Sequence, residues 1–135
     1  MLNLVTKGLT KIFGAAIILS ERTLKALRDA QRDYGYRYLG KVKVKGKDKA
    51  IRIYDLYEGE PVAIRELKAQ TKIAFETAIN HYHERKFGKA AEIFKQIIEV
   101  NETDTAAKYY LDKSVQYIVN RVPEDWTGVE VMTFK

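Results

Sequence analysis

Between Lys41 and Arg52 six positive residues, Lys41, Lys43, Lys45, Lys47, Lys49 and Arg52, face one negative residue, Asp48, a local balance of +5 in a chain whose total is +6. Cations repeated at alternate positions can hold anions, either the phosphates of a nucleotide or the backbone of a nucleic acid. The same pattern also describes a solvated strand face whose lysines discourage edge-to-edge pairing, and lysine-rich edges are common enough to favour that reading. Gly46-Lys47 followed by Asp48 is not a phosphate loop, because no Gly-x-x-x-x-Gly-Lys-Ser/Thr is present. Tyr34, Tyr36 and Tyr38 have the ring chemistry to stack bases. Simple alternation puts them on one side with Val42 and Val44, which favours core packing and argues against nucleic acid as the partner. His81, His83 and Glu84 invite a metal reading, yet residues two apart on a helix point roughly 200° apart, so the two imidazoles do not converge. Ser20 and Ser114 lack a His and an acid in a triad arrangement and read as a helix cap and a helix-contact residue.

These residues need elements to position them. From Tyr34 to Tyr57 the chain reads as a two-sided hairpin, with Arg37, Leu39, Lys41, Lys43 and Lys45 on one side and the tyrosines and valines on the other. Gly46-Lys47-Asp48 supplies the turn, and Ala50 to Leu56 returns with Ile51 and Ile53 inward and Arg52 outward. Ahead of the hairpin, Leu2, Val5, Leu9, Ile12 and Phe13 have helical spacing and Gly14 is placed as a stop. Ala15 to Leu19 reads as a buried strand, and Ser20 as the cap of a helix ending near Asp33.

Glu58-Gly59-Glu60-Pro61 marks a boundary. Beyond it, Ile64 to Tyr82 carries a long apolar stripe at three and four spacing. Lys86-Phe87-Gly88-Lys89 interrupts it, and Ala90, Ala91, Phe94, Ile97 and Ile98 resume it. Asn101 to Asp104 is a loop with a ready cap for a third helix, which runs to about Arg121 before Val122-Pro123 stops it. Glu124 to Lys135 contains Trp126, Val129, Val131 and Phe134 without a clear period, and its structure is left open. The expected divisions are 1–59, 60–122 and a tail at 123–135. The expected class is α+β, with a sheet and helices in the N-terminal half and a three-helix unit in the C-terminal half.

A chain of 135 residues, 46% of them hydrophobic, can bury a core of its own. The absence of cysteine excludes disulfides and thiolate metal sites and fits a reducing compartment. The longest apolar run, Ile12 to Leu19, is far short of the ~20 residues that span a bilayer. Ser20-Glu21-Arg22 after it is not a small-residue cleavage site. A cytoplasmic protein is expected.

Two stretches carry a resemblance. Leu9-Thr10-Lys11-Ile12-Phe13-Gly14, then Leu19-Ser20-Glu21, Tyr38-Leu39-Gly40, Val44-Lys45-Gly46-Lys47 and Ile53-Tyr54-Asp55-Leu56, resemble in order and spacing the C-terminal part of the class III adenylate/guanylate cyclase catalytic domain. The likeness covers about residues 2 to 57. Tyr82, Phe87, Ala90 and Phe94 are similar in placement to the helix-contact positions of the tetratricopeptide repeat, with one residue fewer in the turn and at most one and a half repeats. The first resemblance implies a partial cyclase-type, ferredoxin-like sheet, and it implies that Lys45, with Lys47 beside it, contacts the terminal phosphate of a purine nucleotide. Asn3 and Lys7 match the family's Asn-x-x-x-Arg ribose and triphosphate motif once two residues are deleted before Leu9; undeleted, those positions are Met1 and Val5.

The family's two metal-holding aspartates lie ahead of the matched stretch. Nucleotidyl transfer needs metal ions to neutralise the developing phosphate charge, and lysines do not replace them. The chain by itself is therefore expected to be inactive and without a cofactor, with Mg²⁺ or Mn²⁺ entering only if a complete cyclase half is supplied. The expected role is protein interaction or homodimer formation in cyclic-nucleotide signalling. The alternatives are half of a cyclase site that needs a partner chain, and a nucleic-acid binder using the basic hairpin.

Overall fold

The computed structural model describes residues 2–27, 34–44 and 46–132, with side chains described from residue 8 onward except that of residue 44. Among these residues the architecture is mixed α+β: a four-stranded sheet and five helices, in the order α1 (Leu2–Phe13), β1 (Ile18–Ser20), α2 (Glu21–Ala26), β2 (Tyr36–Val44), β3 (Ile51–Leu56), α3 (Val62–His83), α4 (Phe87–Val100), α5 (Thr105–Asn120) and β4 (Val129–Met132). α2 ends at Ala26, where Leu27 turns extended with a ψ of 122°, earlier than the stop near Asp33 expected from the sequence; Asp33 itself lies outside the described residues.

Local chemistry explains most boundaries. Gly14 ends α1 with a φ of +64°, the left-handed conformation glycine tolerates best. The Ser20 hydroxyl accepts the Thr23 N–H at 3.1 Å, capping α2. Asp104 caps α5 by accepting the Ala107 N–H at 3.1 Å. The break between α3 and α4 falls at 84–86, slightly earlier than the Lys86–Lys89 interruption read from the sequence, and Arg85 takes a φ of +64° there.

The sheet order is β1-β3-β2-β4. β2 and β3 pair antiparallel, and their register corrects the expected two-sided hairpin. Tyr38 lies opposite Tyr54, but Gly40 lies opposite Ile53, so Leu39 is an extra residue. This bulge reverses the facing of β2. Ahead of it Arg37 and Leu39 point into the core, both fully buried; beyond it Val42 does. Arg37 and Leu39 therefore do not share a face with Lys41 and Lys43, and Tyr36 and Tyr38 do not share one with Val42. A bulge inserts one unpaired residue, and because side chains alternate with period two, everything on one side of it changes face.

Gly40 makes the bulge possible. Its φ is +126°, and a Cβ there would collide with the Tyr110 phenol, which donates to the Leu39 carbonyl at 2.6 Å. Gly40→Ala should cost about 2–4 kcal/mol, combining backbone strain with overpacking. Urea unfolding checks this; an unchanged midpoint would show that the bulge relaxes freely.

The segment left open in the sequence forms the fourth strand. β4 runs parallel to β2, with Lys41 beside Val129 and Lys43 beside Val131. The approach to it is anchored by Trp126, whose ring lies 5.3 Å from those of both Tyr82 and Phe87, and by Arg85, which donates to the carbonyls of Glu124 and Trp126 at 2.7 and 2.8 Å. Glu130 is buried and accepts the phenols of Tyr82 and Tyr109, each at 2.7 Å.

One hydrophobic cluster joins the sheet to the helices. It takes Leu9, Phe13, Leu39, Val42 and Ile53 from the first sixty residues, Phe75, Ile79, Phe94 and Tyr110 from the helices, and Met132 from β4. Tyr82, Phe87, Ala90 and Phe94 all lie in it, where the α3–α4 hairpin closes. A buried ionic network crosses the same junction. Arg37 grips Asp104 with two bonds of 2.7 and 2.9 Å, donates to Asp55 at 3.1 Å, and lies 4.0 Å over the Phe75 ring. Lys68 donates to Asp55 at 2.9 Å and to Glu60 at 2.7 Å.

Candidate interface: a basic and aromatic sheet face

The reversal of β2 has a chemical result on the outer face. With Arg37 and Leu39 turned inward, Tyr36 and Tyr38 stand beside Lys41 and Lys43, and β3 adds Arg52 and Tyr54. Tyr38 and Tyr54 are directly opposite, with ring centroids 5.3 Å apart; Tyr36 is 6.0 Å from Tyr54. The Arg52 guanidinium sits 5.5 Å over the Tyr38 ring and donates to its phenol oxygen at 3.4 Å. The Lys72 ammonium, from α3, lies 4.0 Å over Tyr36. Lys41 is the cross-strand partner of Arg52. Two aromatic pairs and two cation–π contacts thus share one surface, each contact worth ~0.5–1.5 kcal/mol.

The borders differ. On one side Glu21 of α2 accepts the Tyr54 phenol at 3.4 Å. Nearby, Ser20, Glu21, Arg22, Lys49, Ala50, Ile51 and Arg52 line an open cleft of about 330 Å³, with three cations around it. On the other side Glu76 of α3 accepts the Tyr38 backbone N–H at 2.8 Å, closing the part of the β2 edge that β4 does not reach.

His83 stands against this surface, its ring 6.1 Å from that of Tyr38. Burial, reinforced by Lys41 and Arg52, pushes its pKa down from 6.5 to about 4. Burial pushes the Tyr38 phenol up to about 12, against the opposing pull of Arg52. The unfolded chain binds a proton at His83 near pH 6.5 that the folded chain refuses. Stability is therefore expected to fall as pH drops from 6.5 toward about 4, and His83→Gln should flatten that window. Thermal melts at the two ends of the window check this; equal slopes in both proteins would refute it.

The residues singled out from sequence are only partly brought together. Lys41 and Arg52 are adjacent, Lys43 follows two positions along β2 next to Val131, and Lys47 is exposed in the connection to β3. Lys45 lies outside the described residues, as do the side chains of Asn3 and Lys7 on α1. Among the described residues no group of three or more His, Asp or Glu is placed to hold a metal ion. Reading the sequence missed Tyr54, Lys72 and Arg22 as neighbours of the basic patch, and placed Tyr36 and Tyr38 on the wrong face. Gly40 in mid-strand was the available signal, since glycine inside a strand often marks a bulge.

No family model matches the chain. No solved structure matches it either. Over 113 residues, 84% of the chain, it is 25% identical to part of the adenylate cyclase of Dictyostelium discoideum described as terminal-differentiation specific. Because residues 1–57 could supply only 57 of those 113 positions, the match runs on into the helices. The chain spans 5% of that relative's length. The similarity supports a cyclase-related region in this chain, carried on a mixed α+β fold with no helix among the described residues long and apolar enough to cross a membrane.

Proposed function

We propose that this chain is a cyclase-related module with tetratricopeptide-like helices that makes no cyclic nucleotide by itself and works through protein contact, with a second copy of itself as the occupant. One observation on α5 carries the reading. Val115, Ile118 and Val119 are 47%, 53% and 73% exposed and share a face at three and four spacing. In a stack of helices such a stripe is the surface on which a further helix packs, and among the described residues nothing covers it. A two-fold contact can be built on such a stripe, because antiparallel pairing of two α5 helices sets the same three residues against each other. Three side chains a side make a small interface, below the ~1,200 Å² of stable complexes, so a weak, micromolar dimer is expected.

Light scattering coupled to size exclusion tests this: a dimer that Val119→Lys abolishes without lowering thermal stability is expected, and a monomer at high micromolar concentration would overturn it. Incubation with ATP or GTP and Mg²⁺ or Mn²⁺ tests the catalytic part, and cyclic product from this chain alone would refute it. The alternative, half of a cyclase site completed by a partner chain, is favoured by the pairing of Lys41 with Arg52 across β2 and β3. It predicts product only when a complete cyclase half is added.

A further inference from the structure

We infer that the outer face of β2 and β3 binds single-stranded nucleic acid, with bases on Tyr38 and Tyr54 and the sugar–phosphate backbone along Lys41, Lys43 and Arg52. The reading rests on the register and not on the dimer contact of α5. β2 and β3 are the two central strands of the sheet, and the bulge at Leu39 puts aromatic and cationic side chains on the same outward face of both. Sheet-based single-strand binders work from this placement, with rings on central strands as base platforms and lysines and arginines as backbone contacts.

The geometry favours a single strand over a duplex. Tyr38 and Tyr54 are 5.3 Å apart and partly exposed, and a ring can stack only on a base whose face is free. Paired bases in a duplex present edges in grooves, which a flat sheet face does not enter. In the free protein cations cover the rings: Arg52 lies over Tyr38 and Lys72 over Tyr36. A base arriving on Tyr38 displaces the Arg52 guanidinium, which then reaches a phosphate or stacks on the base itself. Lys72 sits closer, at 4.0 Å, and keeps Tyr36 covered, so Tyr38 and Tyr54 form the working pair. Lys49 and Arg22 around the adjoining cleft extend the positive surface beyond β3, opposed there by Glu21. A strand running along β2 and β3 thus passes Lys43, then the paired Lys41 and Arg52, and reaches the two rings at the next rungs.

Fluorescence anisotropy with labelled oligothymidylate and oligouridylate of about twelve residues tests the inference on the full chain. Both should bind, with log K falling against log salt at a slope of about −2 to −3, as three or four backbone contacts require. Tyr38→Ala and Tyr54→Ala should each weaken binding roughly tenfold, whereas Tyr38→Phe and Tyr54→Phe, which keep the ring, should not. Thermal melts of all four confirm folding. Failure to bind either polymer, competition by duplex as effective as by single strand, or alanine variants that bind like the parent would each overturn the inference. Val119→Lys, which abolishes the proposed dimer, should leave strand binding intact, so the two proposals fail separately.

Discussion

Arg37→Met should lower stability by about 3–5 kcal/mol, the usual cost of removing one partner from a buried ion pair, and depress the melting temperature by about 10–20 °C. Methionine fills much of the volume but leaves Asp104 buried with its capping bond to Ala107 and without its guanidinium. A pH series separates this from simple loss of packing. Burial alone would raise the Asp104 carboxyl, but the hydrogen bonds and charge of Arg37 outweigh it and hold Asp104 below its ordinary value of 3.8. A depressed folded pKa gives stability that is present above the unfolded value and is lost as pH falls through the folded one. In the variant burial loses its main opponent, so the carboxyl rises and acidification from neutrality relieves it. The stability gap between the two proteins should therefore narrow from pH 7 toward pH 4 in urea titrations. A gap that stays constant would assign the loss to packing.

The second large effect is expected at Glu130. Glu130→Ala removes the acceptor of the buried Tyr82 phenol and of the half-buried Tyr109 phenol, and an unsatisfied buried hydroxyl costs ~1–3 kcal/mol, so a total of about 2–4 kcal/mol is expected. Burial first, and the Glu130 charge second, hold both phenols far above the ordinary tyrosine range, so they enter the variant as neutral donors with nothing to receive them. Glu130→Gln keeps an acceptor and should lose less than half as much. The protein has a single tryptophan, and Trp126 sits among Tyr82, Phe87 and Tyr117 just ahead of β4. If Glu130 pins the strand, the emission of Trp126 in Glu130→Ala shifts to the red below the global unfolding transition. Emission and midpoint both unchanged would mean that β4 is held by its pairing with β2 alone.

Both effects depend on contacts between residues far apart in sequence, and this separates what could be read early from what could not. The Arg37–Asp104 bond spans 67 positions and the Tyr82–Glu130 bond 48. The basic character of the surface was legible, because Lys41, Lys43, Lys47 and Arg52 lie within one short stretch. Its aromatic half was not, because the facing of Tyr36 and Tyr38 depends on where β2 gains a residue relative to β3. Arg37 reads as one more solvent-facing cation until Asp55 is placed opposite it and Asp104 beneath it.

The sequence by itself determined several element boundaries: α1 stopping at Gly14, α2 starting at Ser20, α5 at Asp104, and a hairpin turning between β2 and β3. These follow from interactions within a few residues, which capping, glycine conformation and helical periodicity encode directly. Only the tertiary structure decided which face of β2 is buried, that Arg37 belongs to the core, and that 129–132 closes the sheet. The physical reason is parity. In a strand one inserted residue exchanges inside for outside, and the energy that selects its position comes from partners on β3, α3, α5 and β4, not from the neighbours along the chain.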